Sequence, residues 1–167
     1  LDSGRMQLFL AQELGVSVKD VRAMVLGGHG DDMVPVLSMC PINGVPATQF
    51  IAKDKMAAII ERTRKGGGEI VNLMGTSAYY APATAAMAMA EAYLLDQKRL
   101  LAGAAYLDGQ YGYKDMYLGV PVIIGGKGIE RIVEIELSDA EKAALAKSAD
   151  SVRGVVDVAK RLSAQQA

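Results

Sequence analysis

The 167 residues carry 18 Lys and Arg against 19 Asp and Glu, a formal charge of −1, with 51% hydrophobic and 22% charged residues. Such a chain is long enough to bury one core and too apolar for wholesale disorder, so one domain spanning residues 1–167 is expected. Aromatics at 5% and the absence of a basic stripe exclude the usual electrostatics and stacking surface of a nucleic-acid binder.

Leu1 is not an initiator methionine, and Asp2-Ser3-Gly4-Arg5 already reads as the first turn of a helix, so the chain reads as part of a longer protein. Met6, Phe9, Leu10 and Leu14 fall at helical spacing and predict a helix over 3–14, stopped at Gly15. The apolar run Val21–Leu26 predicts a strand that empties into Gly27-Gly28-His29-Gly30-Asp31-Asp32. From Val34 to Ile51, Pro35, Pro41, Asn43-Gly44 and Pro46 allow only short strands and a turn. Lys53–Arg64 returns to helical patterning, with Met56, Ile59 and Ile60 inward; Gly66-Gly67-Gly68 is expected to interrupt it before Glu69–Met74 resumes.

An alanine-rich helix is expected from Ser77 to Lys98, with Pro82 tolerable only in its first turn, and so many small residues imply close packing against a neighbour. The small-apolar run from Ala78 to Ala90 is too short to span a bilayer, and no membrane partner is expected. Leu101–Leu107, Met116–Ile124 and Ile132–Leu137 are the next candidate strands, the last alternating cleanly. Ser138 and Glu141 form a capping box that opens a final helix running to about Leu162. Helices and strands are grouped rather than alternating, which predicts an α+β fold with a twisted antiparallel sheet and packed helices.

Cys40 is the only cysteine, which excludes an internal disulfide and fits a reducing, cytoplasmic compartment. Paired with His29 it could act as a thiol nucleophile, but no third orienting group is evident and packing is the plainer role. One histidine beside Asp31 and Asp32 has no metal-ligand spacing, so no metal is expected. Gly125-Gly126-Lys127-Gly128 lacks the third small residue of a dinucleotide fingerprint and the Ser or Thr of a phosphate loop, and reads as a hairpin. Gly66-Gly67-Gly68 offers a backbone nest for an anion or a simple helix break.

His29 is the only histidine, and glycines flank it on both sides. It is either a polar residue at a turn or an accessible proton carrier, the role for which imidazole is the usual side chain. A proton carrier needs a carboxylate to fix its tautomer and a cation for an anionic substrate. Asp2 and Arg5, three apart on one helix face, can supply both or can simply pair with each other.

Three stretches in order, "LDSGR" at 1–5, "VLGGHGDDMVP" at 25–35 and "GTSAYYAPA" at 75–83, resemble the catalytic C-terminal half of the lactate/malate dehydrogenase family, over essentially the whole chain. Gly-Gly-His-Gly-Asp is similar to the malate branch, whereas lactate enzymes more often carry Gly-Glu-His-Gly-Asp; Gly4 departs from the family's usual alanine. The resemblance implies hydride transfer between NAD and a small 2-hydroxy acid, malate and oxaloacetate, in a homo-oligomer (dimer or tetramer). It assigns His29 as general acid/base, Asp2 as the residue that hydrogen-bonds the imidazole, Arg5 as the grip on the substrate carboxylate, and Thr76 as a lesser substrate contact. In the family, a glycine-rich dinucleotide turn, a ribose-binding acid and an arginine-bearing substrate loop precede the point where this chain starts. The chain alone is therefore expected to be inactive. Lactate or another 2-hydroxy acid is the alternative substrate, and a non-catalytic oligomerisation or interaction module the alternative role.

Overall fold

The computed structural model describes residues 1–165. Helix α1 (Asp2–Leu14) buries Met6, Leu10 and Ala11 along one stripe and stops at Gly15, whose φ of 65° turns its amide back toward the last carbonyls. Strands β1 (Val25–Gly27) and β2 (Met33–Pro35) pair antiparallel, with Leu26 opposite Val34. Of the strand expected over Val21–Leu26 only Val25 and Leu26 remain, and Gly27 extends it. Val21 makes only an isolated bridge to Ile42, and its carbonyl accepts a hydrogen bond from the Gln7 side chain at 2.7 Å. Strands β3 (Pro41–Ile42) and β4 (Val45–Pro46) flank Asn43-Gly44, both at positive φ, as a tight two-residue hairpin requires.

Helix α2 (Lys53–Met74) runs unbroken through Gly66-Gly67-Gly68, so the expected interruption is absent. Glycine weakens a helix without forbidding it, and tertiary contact along the buried face carries the turn through. That face meets α1, where Met56 and Ile59 join Met6 and Leu10 and the Arg62 guanidinium lies 4.2 Å from the centre of the Phe9 ring.

Helix α3 (Tyr80–Leu94) starts later than expected and keeps Pro82 in its first turn. The close packing expected of its small residues is confined to one edge, where Ala92 enters the core and Met89 packs against it. Ala92 alone is buried, while Tyr80, Met87 and Leu94 are 79%, 70% and 75% exposed.

Strands β5 (Arg99–Asp108), β6 (Lys114–Gly125) and β7 (Gly128–Ile132) complete a five-stranded antiparallel sheet in the order β2-β1-β6-β5, with β7 also on β6. Gly126-Lys127 turns the β6–β7 hairpin, as expected. The strand expected over Ile132–Leu137 is displaced: pairing on β6 runs over Gly128–Ile132 instead and stops there, because the next stretch of that β6 edge is already taken by β1, through Gly27 opposite Gly119. Beyond it the Tyr111 hydroxyl replaces the missing ladder, donating to the Val133 carbonyl at 2.8 Å and accepting from the Ile135 amide at 3.0 Å. Helix α4 (Asp139–Ala164) begins with the expected capping box between Ser138 and Glu141 and buries Leu145, Ser148 and Ala149.

Because side chains alternate along a strand, β1 and β2 serve two cores. Leu26 and Val34 face the sheet-and-α4 core with Leu107, Leu118, Val120 and Leu145, whereas Val25 and Met33 face the α1–α2 core. The loop carrying His29 leaves from the end of this shared ribbon.

Replacing Tyr111 with Phe removes both hydroxyl bonds and leaves partly buried backbone groups unpaired, so it should cost about 1–3 kcal/mol of stability. Chemical denaturation, with amide exchange at Ile135 accelerated, is the check.

Candidate active site

At the end of β1 the backbone of Gly27 (φ 80°) passes so close to Gly119 that a Cβ on Gly119 would collide with the Gly27 carbonyl oxygen. A Cβ on Gly27 would in turn lie 2.5 Å from the Ser148 Oγ on α4. The loop that follows is gripped at three points. The Gly28 N–H donates to the Ser148 Oγ at 2.8 Å, the Ser151 hydroxyl donates to the Asp32 carboxylate at 2.6 Å, and the Arg64 Nε donates to the Asp31 carbonyl at 3.2 Å. Between these anchors the His29 side chain stands 62% exposed.

From the other side, the Val25 N–H donates to the Ser3 hydroxyl at 3.0 Å and ties the first turn of α1 to β1. That tie places the Asp2 Oδ2 2.8 Å from the His29 Nδ1. The other Asp2 oxygen lies 3.4 Å from the Arg5 Nη1, and the side chains of Asp2 and Arg5 are only 11% and 16% exposed. One carboxylate thus bridges an imidazole and a guanidinium. With Asp2 on Nδ1, the ring's Nε2 is left to exchange a proton, and the remaining guanidinium donors are left for an anion. Three of the four predicted site residues therefore form one cluster. Thr76 stands apart, exposed in the connection between α2 and α3, with no side-chain hydrogen bond to the cluster among the described residues.

The sequence model of the lactate/malate dehydrogenase, alpha/beta C-terminal domain, matches residues 1–162. The chain belongs to this family. It is 72% identical over 163 residues to the malate dehydrogenase of Sorangium cellulosum, a match covering 98% of this chain and 52% of that protein. The malate dehydrogenase of Salinibacter ruber superimposes with a TM-score of 0.96 at 48% identity, over 99% of this chain and 54% of the other. The lactate dehydrogenase of Eimeria maxima with NADH and oxamate gives 0.93 at 46% identity, over 98% and 53%. The chain spans about half the length of these relatives, and it has the expected α+β fold of the C-terminal domain.

The family's usual alanine at position 4 would fit here, since a Cβ on Gly4 meets nothing within 4 Å. The competing sites are closed by geometry. Cys40 is fully buried, its thiol donates to the Val36 carbonyl at 3.2 Å, and burial raises its pKa above the ordinary thiol value. The Gly126 N–H already holds the Asp96 carboxylate at 2.5 Å, and Asp96 with Glu130 pairs with Lys98, so the β6–β7 turn is a closed ion cluster. No cluster of three potential metal ligands occurs among the described residues.

Sequence reasoning missed Ser3, Arg64, Ser148 and Ser151. Ser148 lies 120 residues from Gly28 and carries no local signal. The glycine run on α2 did carry a signal, misread as a helix break: the Arg5 side chain lies along Gly66 and Gly67.

Cys40 should resist a thiol-specific reagent at neutral pH in the folded protein, because burial both blocks access and keeps the group protonated. Absorbance assays before and after denaturation should show labelling only in the unfolded chain.

Proposed function

We propose that this chain is the substrate-binding and catalytic half of an NAD-dependent malate dehydrogenase. The observation that carries the reading is the 2.8 Å contact between Asp2 and His29, with Arg5 on the same helix face. Relatives named malate dehydrogenase at up to 72% identity support malate as substrate. NADH named with a lactate dehydrogenase of the same fold supports the cofactor.

When bound, NAD supplies the hydride acceptor for C2 of the hydroxy acid. His29 takes the hydroxyl proton through its Nε2 as malate is oxidised and returns it when oxaloacetate is reduced. Asp2 holds the tautomer with its proton on Nδ1 and balances the charge of the imidazolium that forms. Arg5 binds the carboxylate next to the reacting carbon with its planar fork, which lysine cannot reproduce. Thr76 joins the proposal on its motif alone. The residues present accommodate a nicotinamide beside the imidazole: His29 is exposed, and a Cβ on Gly30 would meet nothing within 4 Å, so the backbone there is open. They include no dinucleotide turn, so the remainder of the cofactor would be held by residues outside these 167.

The second substrate carboxylate would also be read outside this chain, which leaves lactate or another 2-hydroxy acid as the second reading; the 46% identity to a lactate dehydrogenase favours it. We further propose a cytoplasmic dimer or tetramer. The exposed apolar residues of α3 support assembly, and a single buried cysteine in thiol form fits a reducing compartment. Among the described residues no helix is long and apolar enough to cross a membrane.

In the longest natural chain containing these residues, NADH oxidation should be far faster with oxaloacetate than with pyruvate. His29→Asn should lower kcat by about 10²–10⁴-fold. Preference for pyruvate would move the substrate to lactate, and no turnover of either would refute the enzymatic reading. The 167-residue chain alone, assayed for malate-dependent NAD reduction, should show no turnover, because an open place beside His29 without a dinucleotide turn does not fix the nicotinamide against the substrate.

A further inference from the structure

We infer that Gly66, assisted by Gly67, is a positioning residue: a side-chain-free cradle on α2 that sets the Arg5 guanidinium and hence the grip on the substrate carboxylate. The inference rests on Arg5 being that grip. Three consecutive glycines in the middle of a 22-residue helix need a cause, because glycine weakens a helix interior relative to alanine. Backbone conformation is not that cause, since none of the three has a positive φ.

The space around them separates the three. A Cβ on Gly66 would lie 3.1 Å from the Arg5 Cδ and 3.4 Å from its Nε. On Gly67 it would lie 3.5 Å from Nη2 and 3.8 Å from Nη1. On Gly68 it would meet nothing within 4 Å. The Arg5 side chain therefore lies flat along Gly66 and Gly67 for its outer length. Among the described residues its one other side-chain partner is Asp2 at 3.4 Å, long for a charged pair, so contact with α2 limits where the fork can sit. A methyl group at Gly66 has helix backbone behind it, and Arg5 is the part that yields. A bidentate grip needs two N–H···O distances at once, so a shift of tenths of an ångström at Cδ is felt at the carboxylate.

The test uses the longest natural chain containing residues 1–167. Gly66→Ala should raise the KM for oxaloacetate about tenfold while kcat and the NADH dissociation constant stay within about twofold. Its thermal midpoint should hold or rise, because alanine favours the helix. Gly67→Ala, whose new methyl makes only ordinary contact, should raise KM about twofold and keeps the idea testable if Gly66→Ala fails to fold. Gly68→Ala should leave KM unchanged. In an Arg5→Ala background, Gly66→Ala should add no further loss, since both act through one side chain. An unchanged KM in Gly66→Ala, an NADH affinity that falls in step, or a loss that persists without Arg5 would overturn the inference. If Arg5→Ala itself leaves KM unchanged, the reading of Arg5 fails and the cradle fails with it.

Discussion

A hydrogen bond of 2.8 Å joins Asp2, in the first turn of α1, to His29, in a loop that leaves β1. The bond itself lends little stability, because the imidazole end of it faces water. Its geometry is imposed by burial on both sides. Met6 and Leu10 anchor α1 against Val25 and Met33, while Leu26 and Val34 anchor the same ribbon to the sheet. Ser3 then ties the start of α1 to Val25, so two packed bodies meet where the carboxylate and the ring must meet. A close-packed interior leaves little room to shift, so these positions are held more firmly than a hydrogen bond at the surface would hold them.

Close approach is the second constraint around the site. Gly27 and Gly119 let two strands cross where any side chain would collide, and Ser148 fills the remaining space and takes up the next amide. The α2 glycines do for a long cationic side chain what Gly27 and Gly119 do for backbone. In each case the missing Cβ serves a contact with another part of the molecule, and at Gly27 the positive φ asks for glycine as well. The loop can therefore present an exposed imidazole while its own backbone is held from α2 and α4.

The α3 helix shows the opposite condition. Among the described residues it buries only Ala92 fully and sets Met89 against Gly103, leaving Tyr80, Met87 and Leu94 exposed. The exposed His29 has the same character, in a chain that spans about half the length of its relatives. Both are consistent with the proposed half-site that other residues complete.

The sequence by itself determined whatever depends on neighbours within a few residues. The α1 stop at Gly15, the Asn43-Gly44 hairpin, the Gly126-Lys127 turn and the Ser138–Glu141 capping box are local hydrogen-bond and dihedral events, and all are present. The family was legible too, because three ordered motifs carry it. Tertiary structure alone decided the rest. Whether β7 continued past Ile132 depended on β1 occupying the β6 edge, and whether Gly66–Gly68 broke α2 depended on the packing around it. The meeting of Asp2 with His29 and of Gly28 with Ser148, 27 and 120 residues apart, leaves no trace in local propensity. Short-range preferences fix φ and ψ residue by residue, but which distant atoms touch follows from how two cores pack around one shared ribbon.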